Sequence, residues 1–336
     1  MIVEIKHGTK IQWTHIPGYK GETWNPVRGE KAHAHCVKTS PGCANCYAEK
    51  LSMRGLMDGC EPGIPYKNGA DKSVLHNPTL VKPLQWTKPR AAFVCSMTDL
   101  LLPYELGGLL HPIIAQVFKV MMRCTEHLFL VLTKHPEEMR RFVVGVGNIA
   151  QQHGDFSWPL PNVWLGVTAE NQEKARERIP ILLDIPAAKR FVSCEPLLGP
   201  IDLKPWLPDI DPEETARKMG FDPRSFDAVR STIAGGPVLA TGIQGQKQVV
   251  DWVICGGESG QSARQSEVEW YQQIVSQCSG SGVPCFVKQL GRRPLVRDIS
   301  PTGTIGLITG SLKLNHSKGA DPDEWPADLR VQEFPV

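Results

Sequence analysis

A parallel β/α barrel, TIM-like or partial, is the fold class that this 336-residue sequence predicts. Two observations predict it. From residue 90 onward, short runs rich in β-branched and aromatic residues recur, each about five residues long and nearly unbroken in hydrophobicity. Longer stretches with helical periodicity separate them. A strand buried on both faces has no polar alternation, which is the mark of a parallel sheet covered by helices. Strand–helix–strand repetition then implies right-handed βαβ units. A doubly wound sheet satisfies the same pattern, because strand order is not written in local periodicity.

The apolar runs are 92–96 (AFVCS), 128–133 (LFLVLT), 163–168 (VWLGVT), 190–194 (RFVSC), 252–256 (WVICG) and 284–288 (PCFVK), with one or two further strands expected before residue 60. Helices are expected at three places. In 105–124, Leu109, Ile113, Val117 and Val120 share a face. The segment 136–152 opens on Pro and two Glu residues, suited to a first turn. In 266–278, Ser-Glu-Val-Glu reads as a capping box ahead of Val268, Tyr271, Val275 and Cys278. Residues 203–249 break the rhythm with phrases such as PWLPDIDPEE and GGPVLATGIQGQ, and read as an insertion forming a surface lobe or lid. Residues 298–336 lack periodicity and are expected to wrap the barrel or trail from it. The predicted organisation is a barrel over 1–297 containing the 203–249 insertion, followed by a C-terminal extension over 298–336.

Composition narrows the function classes. Lys and Arg number 37 against 35 Asp and Glu, a net charge of +2, so a nucleic-acid role would need a local patch rather than a generally basic surface. No apolar segment follows the opening MIVEIKHGTK as in a secretory signal, and no run reaches the roughly 18 apolar residues of a membrane span. A cytoplasmic protein without membrane contact is expected. In a reducing compartment, cysteines that matter are metal ligands or catalytic groups. Seven of the ten cysteines (Cys60, Cys95, Cys124, Cys194, Cys255, Cys278, Cys285) stand alone and read as small buried hydrophobes.

The other three cluster. The segment CVKTSPGCANCYAE places Cys36, Cys43 and Cys46 at C-x6-C-x2-C. A C-x2-C pair brings two thiolates to one metal centre, and Pro41-Gly42 makes a turn that returns the third. Three thiolates on an iron–sulfur cluster leave one iron open to another ligand. Two other readings stay open: structural zinc with His33 or His35 as fourth ligand, and packing without any metal.

A series of phrases, IQWT, TWNPV, CVKTSPGCANCYAE, FVCSMTDL, VLTKHPE, NVWLGVTAEN, RFVSCEPLLGP, DWVICGGESG and FVKQLG, closely resembles a phage and prophage protein family of unassigned function that is regarded as related to radical SAM enzymes. The resemblance runs from about Thr9 to about Gly291, interrupted at 203–249. It implies a radical SAM-type barrel in which Cys36, Cys43 and Cys46 bind three irons of a [4Fe–4S] cluster. S-adenosylmethionine chelates the fourth iron, and one-electron reduction of its sulfonium releases a 5′-deoxyadenosyl radical that abstracts a substrate hydrogen. The sequence departs from the commonest spacing, in which three residues rather than six separate the first two cysteines. Asn45 also stands where an aromatic would precede the last cysteine, with Tyr47 following instead.

Functional groups of a parallel barrel sit at the C-terminal ends of its strands. There the resemblance implies Ser96 and Asp99 for the methionine amino group. Lys134 would meet the cofactor carboxylate or a substrate phosphate, and Thr168, Glu170 and Asn171 the ribose. The glycine-rich Gly256, Gly257 and Glu258 would lie against an anion or the adenosine. Glu195 follows a buried strand directly, where a carboxylate is costly to desolvate without a partner, and with Lys288 it is a candidate catalytic residue. Each has a plainer reading: a helix cap for Asp99, Glu170 or Asn171, a solvated lysine for Lys134, a salt bridge for Glu195. Trp13, His15, Tyr19 and Trp24, with Lys288, Arg292, Arg293 and Arg297, either contact nucleic acid or form a barrel plug and a solvated rim, and the plug is the expectation. The expected function is a radical SAM-like enzyme acting on a nucleic acid base or nucleotide and served by an electron donor. The rival is a zinc-stabilised nucleic-acid-binding or regulatory protein without redox chemistry.

Overall fold

The structure, a computed structural model, describes residues 9–29, 35–56, 63, 67–68, 73–104, 111–153, 157–209, 248–299 and 305–335. Seven strands make one sheet: β1 (Lys20–Trp24), β2 (Arg90–Val94), β3 (Leu128–Thr133), β4 (Val163–Thr168), β5 (Lys189–Cys194), β6 (Trp252–Gly256) and β7 (Cys285–Gln289). They lie in the order in which they occur in the chain, and every neighbouring pair is parallel. A doubly wound sheet would reverse its order partway, so consecutive order removes that alternative. β1 and β7 end the sheet without pairing to each other. The fold is thus a half-barrel, a partial TIM-like barrel flanked by α1 (Tyr47–Met53), α2 (Pro112–Arg123), α3 (Pro136–His153), α4 (Gln172–Leu183) and α5 (Val268–Gly280).

Each predicted apolar run holds a strand. The seventh comes from KGETW, whose Lys20 and Glu22 suit an edge. Side-chain alternation divides the sheet into two buried faces. Ala92, Val94, Phe129, Val131, Leu165, Val167, Val192 and Val253 pack against the helices. Their alternates Ala91, Leu128, Leu130, Trp164, Phe191, Trp252, Ile254 and Phe286 form a separate inner cluster with Trp13 and Ile16. The turn Gln12–Thr14 touches β1, β2 and β7, so one plug lies between the first and last strands. Trp13 packs on Phe93, Phe191 and Trp252 with ring centroids 4.8–6.2 Å apart. Of the predicted plug residues, Trp13 is in place, whereas Trp24 lies in the helix-side cluster and Tyr19 is exposed. Trp24 is also buried, its indole N–H given to the Thr79 carbonyl, and offers no face for base stacking.

The helices begin where local chemistry permits. Pro112 and Pro136 take first-turn positions, where their missing N–H is no loss. Residues 105–110 of the helix predicted over 105–124 lie outside the described residues. α4 escaped the periodicity argument because five charged residues and Pro180 interrupt its apolar stripe. The predicted capping box does not form. Ser266–Glu267 is a two-residue strand beside Pro294–Leu295, α5 starts at Val268, and Ser266 Oγ donates to the Leu290 carbonyl and accepts from the Tyr271 hydroxyl.

Of the 203–249 insertion, residues 203–209 and 248–249 are described, and Leu203 and Leu207 are buried. Residues 210–247, and with them most of the predicted lobe, lie outside the described residues. The C-terminal segment wraps the barrel: Val287 and Glu333 amides bond to the Val331 and Cys285 carbonyls, extending the β7 edge, and Phe334 closes on Trp252 and Phe286. Six of the lone cysteines are buried, while Cys60 lies outside the described residues. No helix among the described residues is long and apolar enough to cross a membrane.

Candidate functional site at the carboxyl ends of the strands

The three clustered cysteines belong to the connection between β1 and β2. Cys36 ends a two-residue strand paired with Lys67–Asn68, Pro41–Cys43 is a single 3-10 turn, and α1 begins directly after Cys46. All three thiols are free and half-buried.

What holds this loop was not legible in the sequence. After β4, Glu170 is fully buried and paired with the equally buried Arg178, Nη1 to Oε2 at 3.1 Å, while its Oε1 accepts the Gly42 amide at 3.1 Å. After β6, Glu258 repeats the arrangement. Arg264 reaches Oε1 at 2.7 Å, and Oε2 accepts from Asn45 Nδ2 at 2.8 Å. Asn45 Nδ2 also donates to the Ser262 carbonyl. A third anchor comes from the Tyr47 hydroxyl, which donates to the Ser96 carbonyl after β2. Ser96 carries that carbonyl just beyond Cys95, whose left-handed backbone (φ 55°) breaks the alternation and sends its thiol to the helix side. Such a conformation costs roughly 1–3 kcal/mol in a non-glycine residue and persists only where surroundings enforce it.

The electrostatics follow. Burial pushes the Glu170 carboxyl up, but the neighbouring Ser40 hydroxyl, the Arg178 guanidinium and the Gly42 amide outweigh it and hold it below its ordinary range. For Glu258, too, burial raises, and the Arg264 and Asn45 donors win. Burial pushes the Cys36 thiol up to about 12; Asp99 adds to this, Lys134 opposes it, and Cys46 and Cys43 add again. The three thiols thus lie within one another's electrostatic reach.

Asp99 is spent on structure. Its Oδ1 accepts from the Leu101 amide and the Thr133 hydroxyl, and its Oδ2 from the Lys134 amide at 2.9 Å, which locks the loops after β2 and β3 together. It stands near Cys36 but has little acceptor capacity left for a methionine amino group. Lys134, by contrast, has no side-chain hydrogen bond or ion pair among the described residues. His135, absent from the predicted set, adds a buried Nε2 without a hydrogen-bond partner.

Across the mouth, Lys288 Nζ meets Glu195 Oε1 at 2.5 Å, each side chain about one-fifth exposed (23% and 21%). Pairing between β6 and β7 passes from Cys255↔Val287 to Gly256↔Gln289, so Lys288 is a one-residue bulge. Bulges re-aim side chains beside functional sites. A Cβ on Gly256 would lie 3.3 Å from the Glu195 carboxyl carbon, so glycine there makes room for the pair.

Other predicted residues have different work. Asn171 caps α4 by accepting the Lys174 amide at 2.9 Å. The buried Thr168 gives its carbonyl to Arg178. Gly257 donates its amide to the Gln289 carbonyl, and a Cβ there would sit 2.3 Å from the Leu290 oxygen, so its glycine answers to packing rather than to a ligand. Glu170 and Glu258, implied as cofactor contacts, hold the cysteine loop instead. Arg178 and Arg264 went unnoticed as their partners. Arg297 pairs with Glu267.

The donor chemistry and location suit an iron–sulfur cluster: three free thiols on one loop over the strand ends. Among the described residues, however, no three His, Cys, Asp or Glu side chains stand close enough together to hold a metal ion. The thiols match such a group in donor type, while their spacing here does not form a metal site.

Residues 8–306 match the family described as "Protein of unknown function (DUF5131)", and the chain belongs to that family. No curated protein and no solved structure matches it.

Proposed function

From membership of that family as premise, we propose that the chain is a radical SAM-like enzyme, with Cys36, Cys43 and Cys46 holding a [4Fe–4S] cluster and S-adenosylmethionine as its second cofactor. One observation carries the reading: a loop bearing three free thiols is anchored over the strand ends of a parallel half-barrel, above an inward-turned acid–base pair. Iron–sulfur clusters take thiolate ligands on such loops, and a barrel's chemistry lies at this face. When bound, the cluster would supply the electron that cleaves the cofactor's sulfonium C–S bond, giving methionine and a 5′-deoxyadenosyl radical.

The chain's own residues do the remainder. Lys134, cationic and without an ion-pair partner among the described residues, offers a counter-charge to a carboxylate beside Cys36. Glu195 and Lys288 share a short hydrogen bond and are partly open to solvent, so they are placed to orient a substrate or to hold and pass a proton. The apolar inner cluster closes the barrel below them and keeps water from entering from that side. Substrate class rests on the phage resemblance: a nucleic acid base or nucleotide, with an electron donor as partner.

Anaerobic reconstitution with iron and sulfide tests this. The expected result is brown protein with about four irons per chain, a paramagnetic signal on reduction that S-adenosylmethionine perturbs, and 5′-deoxyadenosine as product. Colourless protein holding one zinc would replace the proposal with the structural-metal reading. Cluster-loaded protein that yields no 5′-deoxyadenosine with any reductant would end the enzyme claim.

A further inference from the structure

We infer that Glu170 and Glu258 are a matched pair of positioning residues that fix the cysteine loop from two sides of the barrel mouth. This rests on the cluster-binding reading above, but its geometry does not depend on it. The two sites are built alike. Each carboxylate follows a strand of the sheet, is at least nine-tenths buried, and pairs with an arginine from the same β–α unit, Arg178 on one oxygen of Glu170 and Arg264 on both oxygens of Glu258. Each also accepts from the loop: Glu170 from the Gly42 amide, one residue before Cys43, and Glu258, through an oxygen shared with Arg264, from the Asn45 amide group, one residue before Cys46.

The placement has a chemical consequence. A carboxylate inside the barrel rim is costly unless it stays charged and fully bonded, and the arginines supply that charge balance. The remaining lone pairs then face the loop as strong, fixed acceptors. The two anchors grip the loop immediately before two of the three thiols, and nothing comparable grips Cys36 from a strand end among the described residues. Cys43 and Cys46 are thereby preset, while Cys36 is the sulfur that moves when a cluster assembles. Asn45 acquires a reason as well. An aromatic residue at that position has no amide to reach Glu258 and the Ser262 carbonyl together.

The experiment compares the purified chain with Asn45→Ala and Gly42→Ala, which loosen the grip from the loop side and leave both ion pairs intact. Glu170→Gln and Glu258→Gln remove the charge facing Arg178 or Arg264 and leave one acceptor where two oxygens accept, so they should loosen the same grip from the barrel side. A Cβ on Gly42 would lie 3.2 Å from the Glu170 carboxyl, so loop and carboxylate must part by a few tenths of an ångström, which strains the Gly42–Glu170 hydrogen bond. The first readout is the rate at which Cys43 and Cys46 are alkylated in the metal-free chain, followed by mass spectrometry with folding monitored in parallel. Loss of one charge-assisted hydrogen bond is expected to accelerate labelling roughly ten-fold. Cys36 should change little, and the Gln variants should label faster as well. The second readout is the line shape of the reduced cluster and its response to S-adenosylmethionine, which should broaden in Asn45→Ala.

Unchanged labelling in folded Asn45→Ala and Gly42→Ala overturns the inference. Should the Gln variants fail to fold, the loop-side variants still decide it. Accelerated labelling in a chain that takes up no iron leaves the anchors standing and removes the cluster reading alone.

Discussion

The two ends of the half-barrel are built on opposite principles. At the amino end, strand residues and the Gln12–Thr14 turn interlock in an apolar plug, where Trp252 alone packs against Trp13, Trp164, Phe191, Phe286 and Phe334. At the carboxyl end the same strands stop in charged and polar residues, and contacts run through oriented hydrogen bonds: Glu170 to Gly42, Glu258 to Asn45, Lys288 to Glu195. Non-directional burial tolerates no gap but makes few demands on angle, whereas the polar end depends on a handful of atoms in fixed places. Apolar burial is concentrated below and oriented polar contacts above.

If that division is right, the largest stability loss belongs to the plug. Trp252→Ala should cost about 3–5 kcal/mol in chemical denaturation, without changing the alkylation rates of Cys43 and Cys46 under native conditions. A variant of near-native stability would break the comparison at its base. Gly257→Ala tests the boundary between the ends, since its Cβ collides with the Leu290 carbonyl. A loss of roughly 1–3 kcal/mol is expected, and a variant that lost ligand binding but not stability would return Gly257 to the cofactor.

Acid should act on the upper end first. Both Glu170 and Glu258 sit below the ordinary carboxylate value of 4.5 in the fold. A lowered folded-state pKa means stabilisation that is complete above that value and is lost as pH falls through the lower folded value. Hydrogen–deuterium exchange in residues 40–46 should therefore rise on acidification below 4.5 while the tryptophan plug stays protected. Simultaneous loss of both ends would show that the mouth is not a separate unit. Asn171→Ala, which removes the α4 cap, should cost about 1 kcal/mol. Lys134→Ala should lie within about 0.5 kcal/mol of wild type and be visible only as weakened binding of a carboxylate-bearing ligand, checked by calorimetry.

Legibility in the sequence divides along the same line. The strands after residue 90 were readable because burial on both faces leaves an unbroken apolar run, and α3 because its Pro-Glu-Glu opening is local chemistry. The half-closed capping box at Ser266 misled because the same residues serve a bonded corner with Tyr271 and Leu290, which lie 5 and 24 residues away. Glu170, Glu258 and Asn171 look alike as polar residues at strand ends, yet one grips a loop, one grips it from the other side, and one caps a helix.

Thus the chain alone determined its period, its buried runs, its punctuation and the presence of three closely spaced thiols, because each depends on neighbours within a few residues. Only the folded barrel decided which polar groups meet. Gly42 and Glu170 lie 128 residues apart, Asn45 and Glu258 213, and Glu195 and Lys288 93. Parallel strands joined by helices bring their carboxyl ends to one rim however far apart they stand in the chain, and the pairing across that rim follows from strand order and a single bulge, neither of which local periodicity encodes.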